Sequence, residues 1–250
     1  FERHSGGVVL TAEGQRFRNH ARDIEASVMD AVTSMRRDRT DVTGRVRLGV
    51  TFTISGYFLF PLLARFRRAH PGIEIDLIEQ DRVRLEQMLQ EDEIDLALML
   101  VSNLSRGGEW RKRVLLKSPR SVWLSSAHPL ADRKKLSIQD VAAQPYVQLA
   151  TDETRESTMR YWSRAGLSPK IVFQTTSLEA VREMVASGAA VTILSNLVYR
   201  PWALDGGRVE MRALSPKVPT MDIGLAWHRR HVPSAAEQRF TDYLVATQTA

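Results

Sequence analysis

The chain has 250 residues, 43% hydrophobic and 26% charged, the proportions of a globular protein with one large or two small cores. It holds no cysteine, which excludes disulfide and thiolate chemistry; no apolar run could cross a bilayer and no signal peptide is visible, which together favour the cytoplasm. The net charge of +6 with a pI near 9.9 suits a polyanionic partner, but nine Lys/Arg against two acids, Glu109 and Asp132, fall between Arg106 and Lys135, where a solvated basic face accounts for them.

Phe1 to Leu10 reads as an apolar residue, a polar turn with two glycines and an apolar strand, the pattern of half a hairpin. With no initiator methionine, the expectation is a chain that starts inside a small domain. Thr11 then caps a helix predicted to run to about Arg39. Within it Phe17, Ala21, Ile24, Val28, Ala31 and Met35 recur at alternating spacings of four and three, a heptad seam. Packing on the protein's own body would satisfy such a seam. A narrow seam with charged flanks fits a second chain better. Arg36 to Gly44 is a polar linker without apolar period.

Arg45 to Glu79 is the organising unit. Val46, Leu48 and Val50 alternate with Arg45 and Arg47 as in a strand. Thr51, Thr53 and Ser55 follow. From Tyr57 the period turns helical: Phe58, Leu62, Leu63 and Phe66 share a face, and Pro61 sits in the first turns, where a missing N–H costs little. His70-Pro71-Gly72 stops the helix, and Ile73, Ile75, Leu77 and Ile78 resume a strand. Such a βαβ unit belongs in a parallel sheet with a right-handed crossover. Ligands of these sheets sit beyond the strands' carboxyl ends, at helix N-termini. Here that place holds three hydroxyl side chains.

Val83 to Leu89 reads as a helix with Leu85, Met88 and Leu89 inward. Ile94 to Val101 is a strand covered on both faces, with Ser102-Asn103 at its carboxyl end. Val114-Leu115-Leu116 and Val122-Trp123-Leu124 are two more strands, and His128-Pro129-Leu130 is a loop. Ile138 to Ala143 is a short helix behind Ser137. Tyr146 to Leu149 is a strand followed by Thr151-Asp152, and Thr154 to Ala165 a helix stopped by Gly166. Ile171-Val172-Phe173 is a strand, Thr175-Thr176-Ser177 a hydroxyl-rich turn, and Leu178 to Ser187 a helix ended by Gly188. Ala190 to Leu194 is a strand, Val209 to Arg212 an edge strand, and Ile223 to Trp227 another strand. Ser234 caps a closing helix with Ala236, Phe240, Tyr243 and Leu244 inward. The second half repeats the first, and two α/β lobes with facing polar turns imply a cleft.

In their order and spacing these residues resemble a LysR-type transcriptional regulator. Phe1-Glu2-Arg3 with Val9 to Gly14 is similar to the family's wing and the start of its linker helix. Arg47-Leu48-Gly49, Phe66 and His70-Pro71 resemble the first strand, helix and turn of its effector domain. Ile94-Asp95-Leu96-Ala97, His128-Pro129-Leu130 and Val185-Ala186-Ser187-Gly188 match further hallmarks. The chain departs from the family near Ala190, where a second glycine is usual, and near Ser195, where a proline is.

The resemblance implies an α/β fold, a two-lobed periplasmic-binding-protein-like effector domain with an N-terminal linker helix. It divides the chain into a remnant of a winged helix-turn-helix (1–10), a linker helix and hinge (11–44), lobe I (45–120 and 222–250) and lobe II (121–221). Its effector contacts fall on Thr51, Thr53 and Ser55, on Leu100, Val101 and Ser102, on Ala150 and Thr151, and on Thr176 and Ser177. Arg3 of the wing is the implied DNA contact, and the seam from Phe17 to Met35 the oligomerisation surface. The implied partners are operator DNA, a small-molecule effector of the organic-acid class, further copies in a homodimer or homotetramer, and RNA polymerase. No cofactor, metal, membrane or catalytic residue is implied. The residues themselves agree at the hydroxyls, because helix N-termini offer O–H and N–H donors to an anion. Ordinary N-capping would explain any one of these turns.

Two other classes share some of these features. A solute-binding protein of a transport system has the same lobes, but the heptad helix and the missing export signal stand against it. An enzyme would carry a catalytic pattern, and no HExxH, G-x-S-x-G or P-loop is present. His70 and His128 precede prolines in loops, and His228 and His231 flank Arg229-Arg230 at a strand end, where a solvated end is a simpler reading than a metal site.

Overall fold

The computed structural model describes residues 42–105, 107–151 and 155–247, two short strands at 2–4 and 7–9, and helical positions 14, 17, 20, 21, 24 and 28. Strands β1 (Glu2–His4) and β2 (Gly7–Val9) pair antiparallel with Arg3 opposite Val8, as the hairpin pattern required. Phe17, Ala21, Ile24 and Val28 of the seam are helical and exposed. Ala31 and Met35 lie outside the described residues.

Strand β3 (Gly44–Val50) turns Val46, Leu48 and Val50 into the interior, each 0% exposed. Gly49 packs closely under Leu85 and Ile94: a Cβ there would stand 2.5 and 2.6 Å from their side-chain ends, so any larger residue would require both to shift. A helix follows β3 at once, α-helical over Phe52–Ile54, a π turn over Ser55–Leu59, then α1 (Phe60–Ala69). It therefore starts five residues before the expected Tyr57. The π turn takes in one extra residue, so Ile54 stands five residues before Leu59, which shares the buried face of Leu62, Leu63 and Phe66, and the helical period is broken at the helix start. Strands β4 (Ile73–Glu79) and β5 (Leu96–Leu100) run parallel to β3 on either side, with α2 (Arg82–Gln90) between them in sequence. Strand β6 (Trp110–Ser118) closes this part of the chain.

The chain then enters a second sheet. Strand β7 (Arg120–Ser125) is central, β8 (Lys135–Leu136) lies at one edge, and α3 (Ile138–Ala142) is held by a capping box between Ser137 and Asp140. Strand β9 (Pro145–Leu149), α4 (Arg155–Arg164), β10 (Lys170–Thr175) and α5 (Leu178–Ala186) form the second βαβα run, with β9 and β10 parallel. Gly188 ends α5 at φ 78°, where a side chain would be strained. Strand β11 (Thr192–Ser195) pairs with β7 and contacts β9 through the Tyr146–Val191 bridge. Strand β12 (Val209–Leu214) was expected at an edge and is not. It lies between β7 and β8, because the two residues of β8, too few to show a period, cover its outer side.

Strand β13 (Met221–His228) returns to the first sheet, antiparallel between β5 and β6, and α6 (Ala235–Ala246) packs beside α1. Phe66 meets Phe240 edge to face at 4.9 Å in that core. Two chain passages, β6 to β7 and β12 to β13, link the two sheets. Leu197 packs against the main cores of both lobes. Among the described residues no helix is long and apolar enough to cross a membrane.

Candidate functional site

The carboxyl ends of β3, β5, β9 and β11 converge on one cleft. Its wall carries Thr53 and Ile54 from the helix after β3, Leu100 from β5, Tyr146, Gln148 and Leu149 from β9, and Ile193 to Ser195 from β11. Arg120, Thr151, Thr158, Leu197, Val198, Met221 and Ile223 complete it, around about 540 Å³ of empty space with the open mouth included. Most of this lining is apolar, with a few polar groups to orient a ligand.

Each polar group has a definite position. Arg120 begins β7, where the chain passes between lobes. Its Nη1 donates to the Pro219 carbonyl, and its guanidinium stands 5.7 Å from the Tyr161 ring centroid. Among the described residues that line the cleft, Arg120 alone carries a charge. Ser195 Oγ lies 2.7 Å from Ser118 Oγ and accepts from the Leu197 N–H. Gln148 is buried and donates through Nε2 to the Leu149 carbonyl at 2.8 Å. Thr151 Oγ1 donates to the Thr176 carbonyl at 2.6 Å and ties the two turns of the second lobe together.

Of the residues expected to contact a ligand, the cleft brings together Thr53, Leu100 and Thr151. Thr51 occupies the N-cap position, 1% exposed, with no cap bond and, among the described residues, no partner for its hydroxyl. Ser55 is engaged elsewhere, donating to the Phe52 carbonyl and to Glu79. Val101 packs with Leu85, Met88 and Ala226, and Ser102 is exposed in a short 3-10 turn. Ala150 donates its N–H to Thr175. Thr176 and Ser177 are exposed, and Ser177 caps α5 through the Ala180 N–H at 3.1 Å. The side chain of Arg3 lies outside the described residues.

Arg120, Gln148 and Thr158 line the cleft without a sequence motif having marked them, and Ser195, where the chain departs from the family, lines it too. Gln148 had a legible signal: a long polar side chain between Val147 and Leu149 in a strand otherwise apolar on both faces. Arg120 had none, being one cation of nine in a basic stretch.

The lobes also touch beside the cleft. Arg182, 3% exposed, pairs with Glu179 and donates to the Tyr57 hydroxyl at 3.3 Å and the Val198 carbonyl at 3.4 Å. Arg200 stacks over the Tyr57 ring at 5.0 Å. Burial pulls the Arg182 guanidinium down, but its bonds to Glu179 and Tyr57 outweigh that and hold it above its ordinary value. Arg200 is pulled down, by burial first.

Asp95, His231 and Glu237 present ligand atoms within 4.8 Å of one another at the other end of the first sheet. Each carboxylate is already engaged. Asp95 accepts from the Arg47 backbone at 2.7 Å and from its side chain, and Glu237 accepts from Ser234 at 2.8 Å and meets His231. The expected solvated strand end is thus a half-buried charge network joining β3, β5 and α6.

Residues 39–249 match the family model of the LysR substrate binding domain. The chain belongs to the LysR family. The HTH-type transcriptional regulator CfxR of Cupriavidus necator is 30% identical over 250 residues, covering 94% of this chain and 72% of that protein. The DNA-binding transcriptional dual regulator OxyR of Escherichia coli (strain K12) is 25% identical over 229 residues, covering 90% of this chain and 73% of that protein. The crystal structure of HinK, a LysR family regulator of Pseudomonas aeruginosa, superposes with a TM-score of 0.77 at 26% identity, covering 98% of this chain and 84% of that one. The two sheets and the cleft between them are the effector-binding domain of a LysR transcriptional regulator, with the two-lobed periplasmic-binding-protein-like fold.

Proposed function

We propose that this LysR regulator senses a small organic acid in the interlobe cleft and passes the signal to operator DNA. The observation that carries this reading is Arg120, the one charged side chain among the described residues of a mostly apolar cleft whose wall also carries Thr53 from the helix that follows β3. An anion there gains the guanidinium, the helix N-terminal N–H groups and the Thr53 hydroxyl together. Thr53, Leu100 and Thr151 are its nearest contacts, joined by Arg120. The effector would bias how the lobes and linker helices pack, a population shift with no bond chemistry.

The assembly is read as a cytoplasmic homodimer or homotetramer held through the heptad seam. In support, Phe17, Ile24 and Val28 are 76%, 66% and 56% exposed on the described part of that helix. In the assembled regulator the hairpin bearing Arg3 would meet the DNA, and RNA polymerase would read the outcome.

The test is a thermal-shift screen of small carboxylates against their neutral amides, on the wild type and on Arg120→Leu. Bound ligand stabilises the native state by mass action, so carboxylates should raise the melting temperature of the wild type and not of the variant. Amides that act equally well, or carboxylates indifferent to Arg120→Leu, would overturn the reading.

A further inference from the structure

Gln148 is 4% exposed in the lobe II wall of the cleft. The orientation of its amide is set by its surroundings. Nε2 donates to the Leu149 carbonyl at 2.8 Å, a bond that the carboxamide oxygen could not make. Oε1 is therefore the atom left over, and among the described residues it has no donor.

The other buried polar side chains of this wall are satisfied within the fold. Ser195 meets Ser118 at 2.7 Å, Thr192 Oγ1 donates to the Val147 carbonyl at 2.9 Å, and the Tyr146 hydroxyl accepts from the Ile193 N–H at 3.2 Å. Buried acceptors are almost always paired, and one without a donor, on a residue that lines a binding cleft, points to a donor brought by the ligand.

We propose that Gln148 Oε1 receives a hydroxyl of the effector, which makes the effector a hydroxycarboxylic acid. This rests on the reading of the cleft as an organic-acid site. The carboxylate lies toward Arg120 and Thr53, and a hydroxyl on the carbon skeleton turns to β9. The donor is a hydroxyl and not an ammonium. Leu149, Ile193 and Val198 around it are apolar, the amide is neutral, and Arg120 already brings one positive charge to the cleft. A deoxy analogue would bury the same acceptor unpaired and be rejected for it.

The experiment titrates the chain calorimetrically with matched pairs: malate and succinate, mandelate and phenylacetate, 3-hydroxybutyrate and butyrate, 4-hydroxybenzoate and benzoate. Each is run on the wild type, on Gln148→Met and on Arg120→Leu. In the pair that fits, the hydroxy acid should bind the wild type at least tenfold more tightly than its partner, and Gln148→Met should shrink that ratio to within about threefold. Acids that bind without hydroxyl preference, or a preference that survives Gln148→Met, overturn the hydroxyl assignment and leave the acid reading standing. Acid affinity unchanged in Arg120→Leu overturns the acid reading instead. If no acid of the panel binds the wild type, the acid reading and the hydroxyl assignment are overturned together.

Discussion

Arg182 of lobe II donates to the hydroxyl of Tyr57 of lobe I at 3.3 Å, while Arg200 covers the face of the same ring. Tyr57 is the middle residue of the π turn, and Thr53, four residues earlier on the same continuous helix, lines the cleft. One rigid element thus bears on the cleft at its start and on the opposite lobe a turn later. Packed elements with two discrete arrangements are how small shifts at a site become movements of domains.

Tyr57→Phe keeps the ring and its stacking and deletes one long hydrogen bond. It should lower stability by about 0.5–1.5 kcal/mol. Urea unfolding would show this as a lower midpoint at unchanged slope. An unaltered midpoint would mean that the stacking of Arg200 and the packing of Leu197 hold the lobes without the phenol.

The first turn after β3 separates into three roles. Thr51 buries an unpaired hydroxyl, so Thr51→Val should be neutral or stabilising by up to about 1 kcal/mol. Ser55 holds Glu79 and the Phe52 carbonyl, so Ser55→Ala should cost about 1 kcal/mol with little change in effector affinity. Thr53→Ala should weaken the binding of an anionic effector about ten- to a hundredfold, the worth of one charge-assisted hydrogen bond of roughly 1.5–3 kcal/mol. Calorimetry beside unfolding of the ligand-free proteins separates the three.

Most of the strands and helices were legible in the sequence because period and caps agree there. Val46, Leu48 and Val50 alternate, and Ser137, Ser177 and Ser234 each precede the helix they cap. The helix start at Phe52 was hidden by a π turn, which breaks the period that a sequence pattern relies on. The interior place of β12 depended on β8, two residues long and parallel to it from 70 residues or more away in the chain. The cleft was half legible. Hydroxyls at strand ends mark a turn in sequence, but whether Ser55 faces a ligand or Glu79 is decided by packing. Arg120 reaches the cleft because the crossover places it there, and no local pattern records that.

Asp140 gives a pH dependence with a definite sign. Its carboxylate accepts from the Ser137 hydroxyl and N–H at 2.7 and 2.8 Å and pairs with Arg133, and the Ser137 bonds chiefly hold it below the ordinary carboxylate value. A carboxyl depressed in the folded state contributes stability that is present above its unfolded value, near 3.9, and is lost as pH falls through the folded value. Asp140→Ala should therefore be less stable than the wild type at pH 7, and the gap should close as pH falls below about 4. Parallel denaturation curves at pH 3 and pH 7 check it. A gap independent of pH would assign the loss to the helix cap alone.

The seam of the N-terminal helix makes the last prediction. Phe17, Ile24 and Val28 are exposed at 76%, 66% and 56%, at spacings of seven and four, on a helix whose described apolar positions find no cover in this chain. Apolar residues at heptad spacing bury little on a single helix and much between two. Ile24→Asp places a charge where the partner's seam would otherwise enclose it, at a desolvation cost. Multi-angle light scattering should show a smaller assembly for the variant at concentrations where the wild type is associated. The effector domain should remain folded, since Ile24 lies outside its cores. Effector affinity per chain should stay within a few fold, because the cleft is built within one chain. An unchanged mass would instead place the seam against this chain's own body and move the oligomer contact to another surface.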